Sequence, residues 1–315
     1  MNAPIAPEQI ERRASPFDLD DDATYRCWRE WKLCTQPKHI DDLMVDVTDP
    51  RMLTEAERAA LLERIARANF AIYRSRQHDE DPNLARALGA QLGLNRLDAN
   101  WLADEDGISR VVVSDRSDGR GGFIPYTNRA IGWHTDGYYH PEQRRIQAMI
   151  LHCVRPALHG GVNSLLDHEL AYIALRDASK DHVRALMQPD AMTIPARNDA
   201  DSADGVARGA QSGPVISVDA ADGHLHLRYT ARQRSIEWKS DAATRAARLC
   251  LEGLLAGAAN AIQRVHLQAG MGIVGHNILH DRTGFADDPQ HPRLLYRARY
   301  LDRVNLPLAA PWRIG

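Results

Sequence analysis

The feature that most limits how this chain can fold is a series of short β-type runs, each closed by Gly, Pro, Asp or Asn. They are ISRVVVSD (108–115), RRIQAMILHCV (144–154), PVISVD (214–219), GHLHLRYT (223–230), IQRVHLQ (262–268), MGIVGHN (271–277) and RLLYRARYL (293–301). Runs this short, with turn residues between them, predict a barrel or sandwich of strands, not a helical bundle or a doubly wound parallel sheet. Helical spacing interrupts the pattern in a few places. TEAERAALLERIARANF offers Thr54 with Glu57 three residues on as a capping box, and Leu61, Ile65 and Ala68 follow on one face. A short strand, NFAIYRSR, comes next, and then DPNLARALGAQLG, with Asp81 as cap and Pro82 at the first position. Later helices are expected at 167–179, 180–188 and 241–258, the last with Ala247, Leu251, Leu254 and Ala258 on one face. The expected class is mainly β with helical insertions.

Composition narrows the possible partners. With 315 residues and 44% apolar content the chain can bury a sizeable core. A formal charge of −3 and no dense Lys/Arg run argue against nucleic acid as partner. The four cysteines, Cys27, Cys34, Cys153 and Cys250, form no CxxC pair, which suits a reducing compartment. No leader-like apolar region and no membrane-length span stand out, so a cytoplasmic protein is expected. Residues 1–25 are polar and Pro- and Ala-rich, and read as a loosely ordered arm ahead of one domain spanning 26–315. The stretch 196–213 has almost no large apolar residue and reads as either a disordered loop or a lid over a site. A homo-oligomer remains open.

The chemistry is concentrated in GWHTDGYYHP (132–141). In an extended segment His134 and Asp136 point to one side and Thr135 to the other, so a single strand end can offer an imidazole and a carboxylate to one ion. A third ligand should come from far along the chain, and His280 in GHNILHDRTGF is the candidate. Two histidines and one carboxylate that leave open coordination positions form the signature set of non-haem Fe(II) oxygenases. Against this stands the bland reading: with 14 histidines in the chain, an HxD followed by a distant His can arise by chance. HPRLLYRARYLD (291–302) adds weight, because Arg293, Arg297 and Arg299 share one side of an otherwise apolar strand. Burying that stripe is costly unless it meets anions, and an iron-chelated keto diacid needs a fixed cation for its far carboxylate. Solvent-facing arginines would be the ordinary alternative.

Together these motifs resemble the Fe(II)- and 2-oxoglutarate-dependent dioxygenases of the taurine dioxygenase and clavaminate synthase-like group, over roughly residues 50–303. The resemblance rests on NFAIYRSR, WHTDGYY, HGGVNSLLDHE, QAGMGIVGHNILHDRTGF and the arginine strand, in that order. It implies a double-stranded β-helix (jelly-roll) core, iron on His134, Asp136 and His280, 2-oxoglutarate as cosubstrate and O2 as oxidant. It also implies Arg293 on the distal carboxylate, with Ser164 or Asn163 beside it, because GGVNS stands where the family often has Gly-Gly-Asp-Thr. A further departure is His276 before Asn277, where many relatives carry Asp.

For the prime substrate, Arg297 suggests a small polar anion, a carboxylate or sulfonate. The competing reading is that Arg297 only pairs with a nearby acid. Tyr138 and Tyr139 are candidates for the pocket wall, or for part of an aromatic cage around a trimethylammonium group, and are equally at home in a core. Arg228 and Tyr229 are further pocket candidates, and Trp133 is expected to pack behind the triad. Two rival classes share the triad: a zinc-dependent hydrolase and a non-catalytic β-barrel binding protein.

Overall fold

The computed structural model describes residues 15–98, 107–114, 123–197, 208–220, 222–232, 236–257 and 261–306. Its largest sheet has six strands in the order β1 (Met44–Asp46), β2 (Phe70–Arg74), β14 (Met271–His276), β5 (Ala148–Arg155), β17 (Leu294–Tyr300) and β3 (Ser109–Val111). Only the β1–β2 pair is parallel; the other ladders are antiparallel. A four-stranded antiparallel sheet runs β13 (Gln263–Val265), β7 (Asn163–Leu166), β15 (Leu279–Arg282), β4 (Ile131–His134). Three small sheets complete the described strands: β12 (Glu237–Trp238) with β8 (Met192–Ile194) and β9 (Gln211–Gly213), β10 (Ile216–Val218) with β11 (Leu225–Leu227), and β16 (Phe285–Ala286) with β6 (His159–Gly160). Six α-helices among the described residues, α1 (Asp22–Thr35), α2 (Glu55–Ala68), α3 (Asn83–Gln91), α4 (His168–Ala178), α5 (Lys180–Leu186) and α6 (Ala242–Ala256), pack around them. The expected mixture of sheets and helices is therefore present.

Alternation along the strands sorts the side chains into separate cores. Ile72, Cys153, Ile273 and Leu295 of the six-stranded sheet meet Leu165, Val265 and Leu267 of the four-stranded side in one buried cluster. The opposite face of the six-stranded sheet, with Ala71, Tyr73, Ile150 and Tyr296, is covered by Leu61, Ile65 and Leu88 of α2 and α3. Leu61 and Ile65 are fully buried, and each contributes roughly 1.5–3 kcal/mol of hydrophobic stabilisation. The capping box forms as expected: the Thr54 hydroxyl accepts from the Glu57 amide, and the Glu57 carboxylate accepts from the Thr54 amide. In α6 the buried residues are Thr244, Ala247, Leu251 and Leu255, so the face is rotated by about one residue from the expected one, and Ala258 lies outside the described residues.

The expected N-terminal arm is corrected over its described part. Residues 1–14 lie outside the described residues, but Phe17 and Tyr25 are buried against Trp28 and Tyr172, with ring centroids 5.1–6.3 Å apart. Helix α1, absent from the sequence expectations, is held by Lys32. This lysine is fully buried, its Nζ 2.6 Å from Asp167 Oδ2 and also paired with Glu169. Of the stretch 196–213, residues 198–207 lie outside the described residues, while its flanks are ordered by the Arg197–Arg208 bridge and by β9 on β8.

Candidate metal centre

Strand pairing brings the remote ligands together. His280 of β15 lies directly opposite His134 of β4, and residues directly opposite each other in an antiparallel ladder project to the same side. Their rings are 4.2 Å apart between centroids. Each Nδ1 donates to the carbonyl two residues earlier, His134 to Gly132 at 3.0 Å and His280 to Ile278 at 3.0 Å. That tether fixes the tautomer and leaves both Nε2 lone pairs for a ligand. Asp136 follows in a turn in which Gly137 has φ +66°; a side chain there would be strained and would run into Ile146 and His140. One potential ligand atom from each of His134, Asp136 and His280 lies within 4.8 Å of the others, and no second such group occurs among the described residues.

The surroundings hold Asp136 in place and charged. Asn277 Oδ1 accepts from the Asp136 amide at 2.8 Å, while its Nδ2 donates to the carbonyls of Asp136 at 2.8 Å and Ile146 at 3.0 Å. Arg297 of β17 approaches Asp136 Oδ1 to 3.5 Å, which links the two large sheets through an ion pair. Burial alone would raise this carboxyl, but Arg297, Arg299 and the two histidines hold it well below the usual carboxylate range. Burial, with His280 next to it, lowers His134 to about 3. Asp136 is thus a carboxylate at neutral pH, and its Oδ2 is buried with no hydrogen-bond partner. An orphaned buried oxygen facing two imidazole lone pairs fits a divalent cation.

Arg293 and Asn163 border one narrow gap, too tight for a water molecule as it stands, together with Cys153, Gly161 and His266. Arg293 is 5% exposed, and its guanidinium stacks 4.9 Å from the Phe285 ring centroid. Arg282, which the sequence expectations miss, stacks on the same ring at 4.7 Å, and its Nη2 donates to the Thr127 and Arg129 carbonyls. Burial lowers both guanidiniums, Arg282 to about 9 with Arg293 contributing. Arg282 is spent on those carbonyls, so Arg293 is the cation that borders the gap beside Asn163. Ser164 lies elsewhere: it pairs with the exposed Arg264 on one side and with Asp281 on the other, on the face of β7 opposite Asn163. Of the two candidates, Asn163 is the one beside Arg293.

The remaining expectations divide. Arg297 is partly buried beside the triad and pairs with Asp136, the competing reading given above. Tyr139 is half-buried and accepts from Arg299 at 3.0 Å; Tyr138 accepts from Arg232 at 3.2 Å and packs edge-on to Tyr139. Arg228 is not available to a ligand, since its donors go to the carbonyls of Tyr138, Met192, Gly213 and Gln211. Tyr229 is 1% exposed and belongs to the core beside Trp238. Trp133 donates to the Leu255 carbonyl of α6 at 3.1 Å and packs against the helical core. His276 bonds Asn69 Oδ1 at 2.7 Å on the buried side. Asp98, not anticipated from sequence, ties Arg299 (2.7 Å) to Arg144 (2.6 Å).

Comparison with known proteins agrees with this geometry. The taurine catabolism dioxygenase TauD, TfdA family model matches residues 35–299. A uridine-5'-phosphate dioxygenase from a Streptomyces species is 31% identical over 206 residues, 62% of this chain and 71% of that protein. Two solved structures share the fold. An asparagine oxygenase in complex with Fe(II), 2S,3S-3-hydroxyasparagine and succinate matches with a TM-score of 0.54 at 16% identity, over 89% of this chain and 92% of that one. The non-haem iron oxygenase OrfP in complex with Fe and α-ketoglutaric acid matches with a TM-score of 0.56 at 17% identity, with the same coverage. No helix among the described residues is long and apolar enough to cross a membrane. The zinc hydrolase and the non-catalytic barrel are left without support, and the chain belongs to the TauD/TfdA family, non-haem iron dioxygenases that use 2-oxoglutarate.

Proposed function

We propose that this dioxygenase oxidises a C–H bond of a small anionic substrate, with iron held by His134, Asp136 and His280, and 2-oxoglutarate anchored by Arg293 and Asn163. The observation that carries the reading is the convergence of three ligand atoms within 4.8 Å, with both Nδ1 atoms already tethered. When bound, iron and 2-oxoglutarate supply the oxidising chemistry: with O2, 2-oxoglutarate breaks down to succinate and CO2, and one oxygen atom goes to the substrate. The chain's own residues position and shield. His134 and His280 present Nε2, and Arg297 takes one oxygen of Asp136 and leaves the other for the cation. Arg293 offers a two-pronged donor to the far carboxylate. Asp136 and Arg293 are themselves shielded from water, while His134 and His280 are partly open.

The substrate reading rests on charge. Arg299 stands buried and Arg297 partly buried beside Asp136, and Arg208, bridged to Arg197 through the backbone, lies near Tyr138 and Tyr139. This excess of cations suits a phosphate, sulfonate or carboxylate. Because a relative is a uridine-5'-phosphate dioxygenase, uridine 5'-phosphate is the first compound to try. The same proposal takes the six- and four-stranded sheets as the two halves of a jelly roll, the chain from residue 26 onward as one dioxygenase domain, and the cytoplasm, which suits four free cysteines, as its compartment.

Anaerobic addition of Fe(II) and then 2-oxoglutarate to the apoprotein should give a weak visible charge-transfer band. A panel of anionic small molecules, read by succinate release and by mass spectrometry of the product, then finds the substrate. A wild-type protein that binds Fe(II) but gives no band with 2-oxoglutarate would overturn the assignment of the cosubstrate site.

A further inference from the structure

The cavity beside Arg293 has a third polar wall. Besides Asn163 and Arg293, the polar residues that border it include His266, which follows strand β13. His266 Nδ1 is 3.2 Å from Gln268 Nε2, and the same Gln268 nitrogen is 3.4 Å from the His266 carbonyl oxygen. A carbonyl only accepts, so the Gln268 atom facing it is the donating nitrogen, and Nδ1 accepts from it as well. In a neutral imidazole the ring hydrogen then sits on Nε2. That Nε2 is buried and has no hydrogen-bond partner. The structure therefore places a buried, unpaired N–H on a residue that borders the same narrow gap as a guanidinium and an amide, all three suited to an anion.

We infer that His266 is a third cosubstrate-binding residue, whose Nε2–H donates to the distal carboxylate of 2-oxoglutarate beside Arg293 and Asn163. The inference rests on reading Arg293 as the anchor of that carboxylate. The two oxygens of a carboxylate offer about four acceptor positions, so an arginine fork, an amide and one imidazole N–H can be accommodated together. A keto acid of the same length ending in a methyl group would leave both the guanidinium and this N–H unpaired. His266 would thus add to the preference for a diacid.

The test is equilibrium binding to the full-length protein loaded with Mn(II) under anaerobic conditions, by calorimetry, with 2-oxoglutarate and with 2-oxopentanoate, which lacks the distal carboxylate. His266→Leu should weaken 2-oxoglutarate roughly ten- to a hundredfold, the range for a hydrogen bond to a charged group. It should leave 2-oxopentanoate unchanged, and His266→Gln, which restores a donor, should recover part of the loss. Unaltered Mn(II) affinity in each variant serves as the check on folding. Equal weakening of both keto acids would make His266 a packing residue, and no weakening of either would remove its role; either result overturns the inference. Arg293→Met separates the two levels. If it abolishes the preference for the diacid while His266→Leu does not alter it, only the His266 assignment falls. If neither variant alters the preference, the anchor reading falls as well.

Discussion

Replacing Asn277 with alanine tests whether the carboxylate ligand is held by its backbone. The amide side chain makes three buried hydrogen bonds, with the N–H and C=O of Asp136 and the C=O of Ile146, at 2.8–3.0 Å. Alanine can replace none of them. A buried polar group left unpaired costs about 1–3 kcal/mol, and water entering the vacated volume offsets part of this. The expected loss is therefore about 3–5 kcal/mol of unfolding free energy, not the simple sum. Metal binding should suffer separately, because losing a residue that orients a ligand typically costs 10–100-fold in affinity. Urea unfolding of the apoprotein reads the first effect, and Mn(II) titration followed by electron paramagnetic resonance, in conditions where the variant is folded, reads the second. A variant that is destabilised but binds Mn(II) as tightly as wild type would show that Asn277 supports the fold without positioning Asp136. Wild-type values of both would refute the clamp altogether.

Other outcomes follow from the same geometry. His134→Ala or Asp136→Ala should abolish succinate formation, and retained turnover in either would remove that residue from the triad. Arg293→Ala should mainly raise the concentration of 2-oxoglutarate needed for half-maximal rate, so an unchanged requirement would exclude it as the anchor. Lys32→Met strands Asp167 and Glu169 in the interior, and should cost about 3–5 kcal/mol of stability in urea unfolding; a loss under 1 kcal/mol would mean those acids find water or other partners. Burial lowers His152 to about 4 and His168 to about 3, from an ordinary value of 6.5. Below 6.5 the unfolded chain takes up protons that the folded protein refuses. Stability should accordingly fall as pH drops from 6.5 toward 4, by up to about 1.4 kcal/mol per unit for each residue. His152→Gln should remove one residue's share of that slope in urea midpoints, and an undiminished slope would count against a neutral His152.

What could be read from sequence was whatever local chemistry decides. Thr54 and Glu57 cap each other within one turn, and β14 and β17 are buried runs bounded by turn residues, so α2 and both strands are legible from their own residues. The triad is legible because HxD puts two ligands within three residues, His134 at the end of β4 and Asp136 in the turn that follows, and only His280 has to be supplied from afar. Features that depend on distant partners are not legible. Helix α1 carries a lysine that becomes a core residue only through acids more than 130 positions away. Arg228 looks like a ligand group until four carbonyls from three segments are seen to occupy it. Ser164 and Asn163 differ only in which face of β7 they occupy, and a one-residue ambiguity in a period of two reverses the answer. Arg282 and Asp98 show no local signal beyond being charged residues close to apolar ones.

The ladder between β4 and β15 determines more than where two imidazoles stand. Because His134 and His280 are cross-strand partners with their rings fastened to neighbouring carbonyls, their separation is set by main-chain geometry before any ion arrives. A protein built in this way need not refold around its metal, unlike small domains that are unstructured without one. Chelation and reloading should be cycles of filling and emptying, with the far-ultraviolet circular dichroism spectrum unchanged throughout.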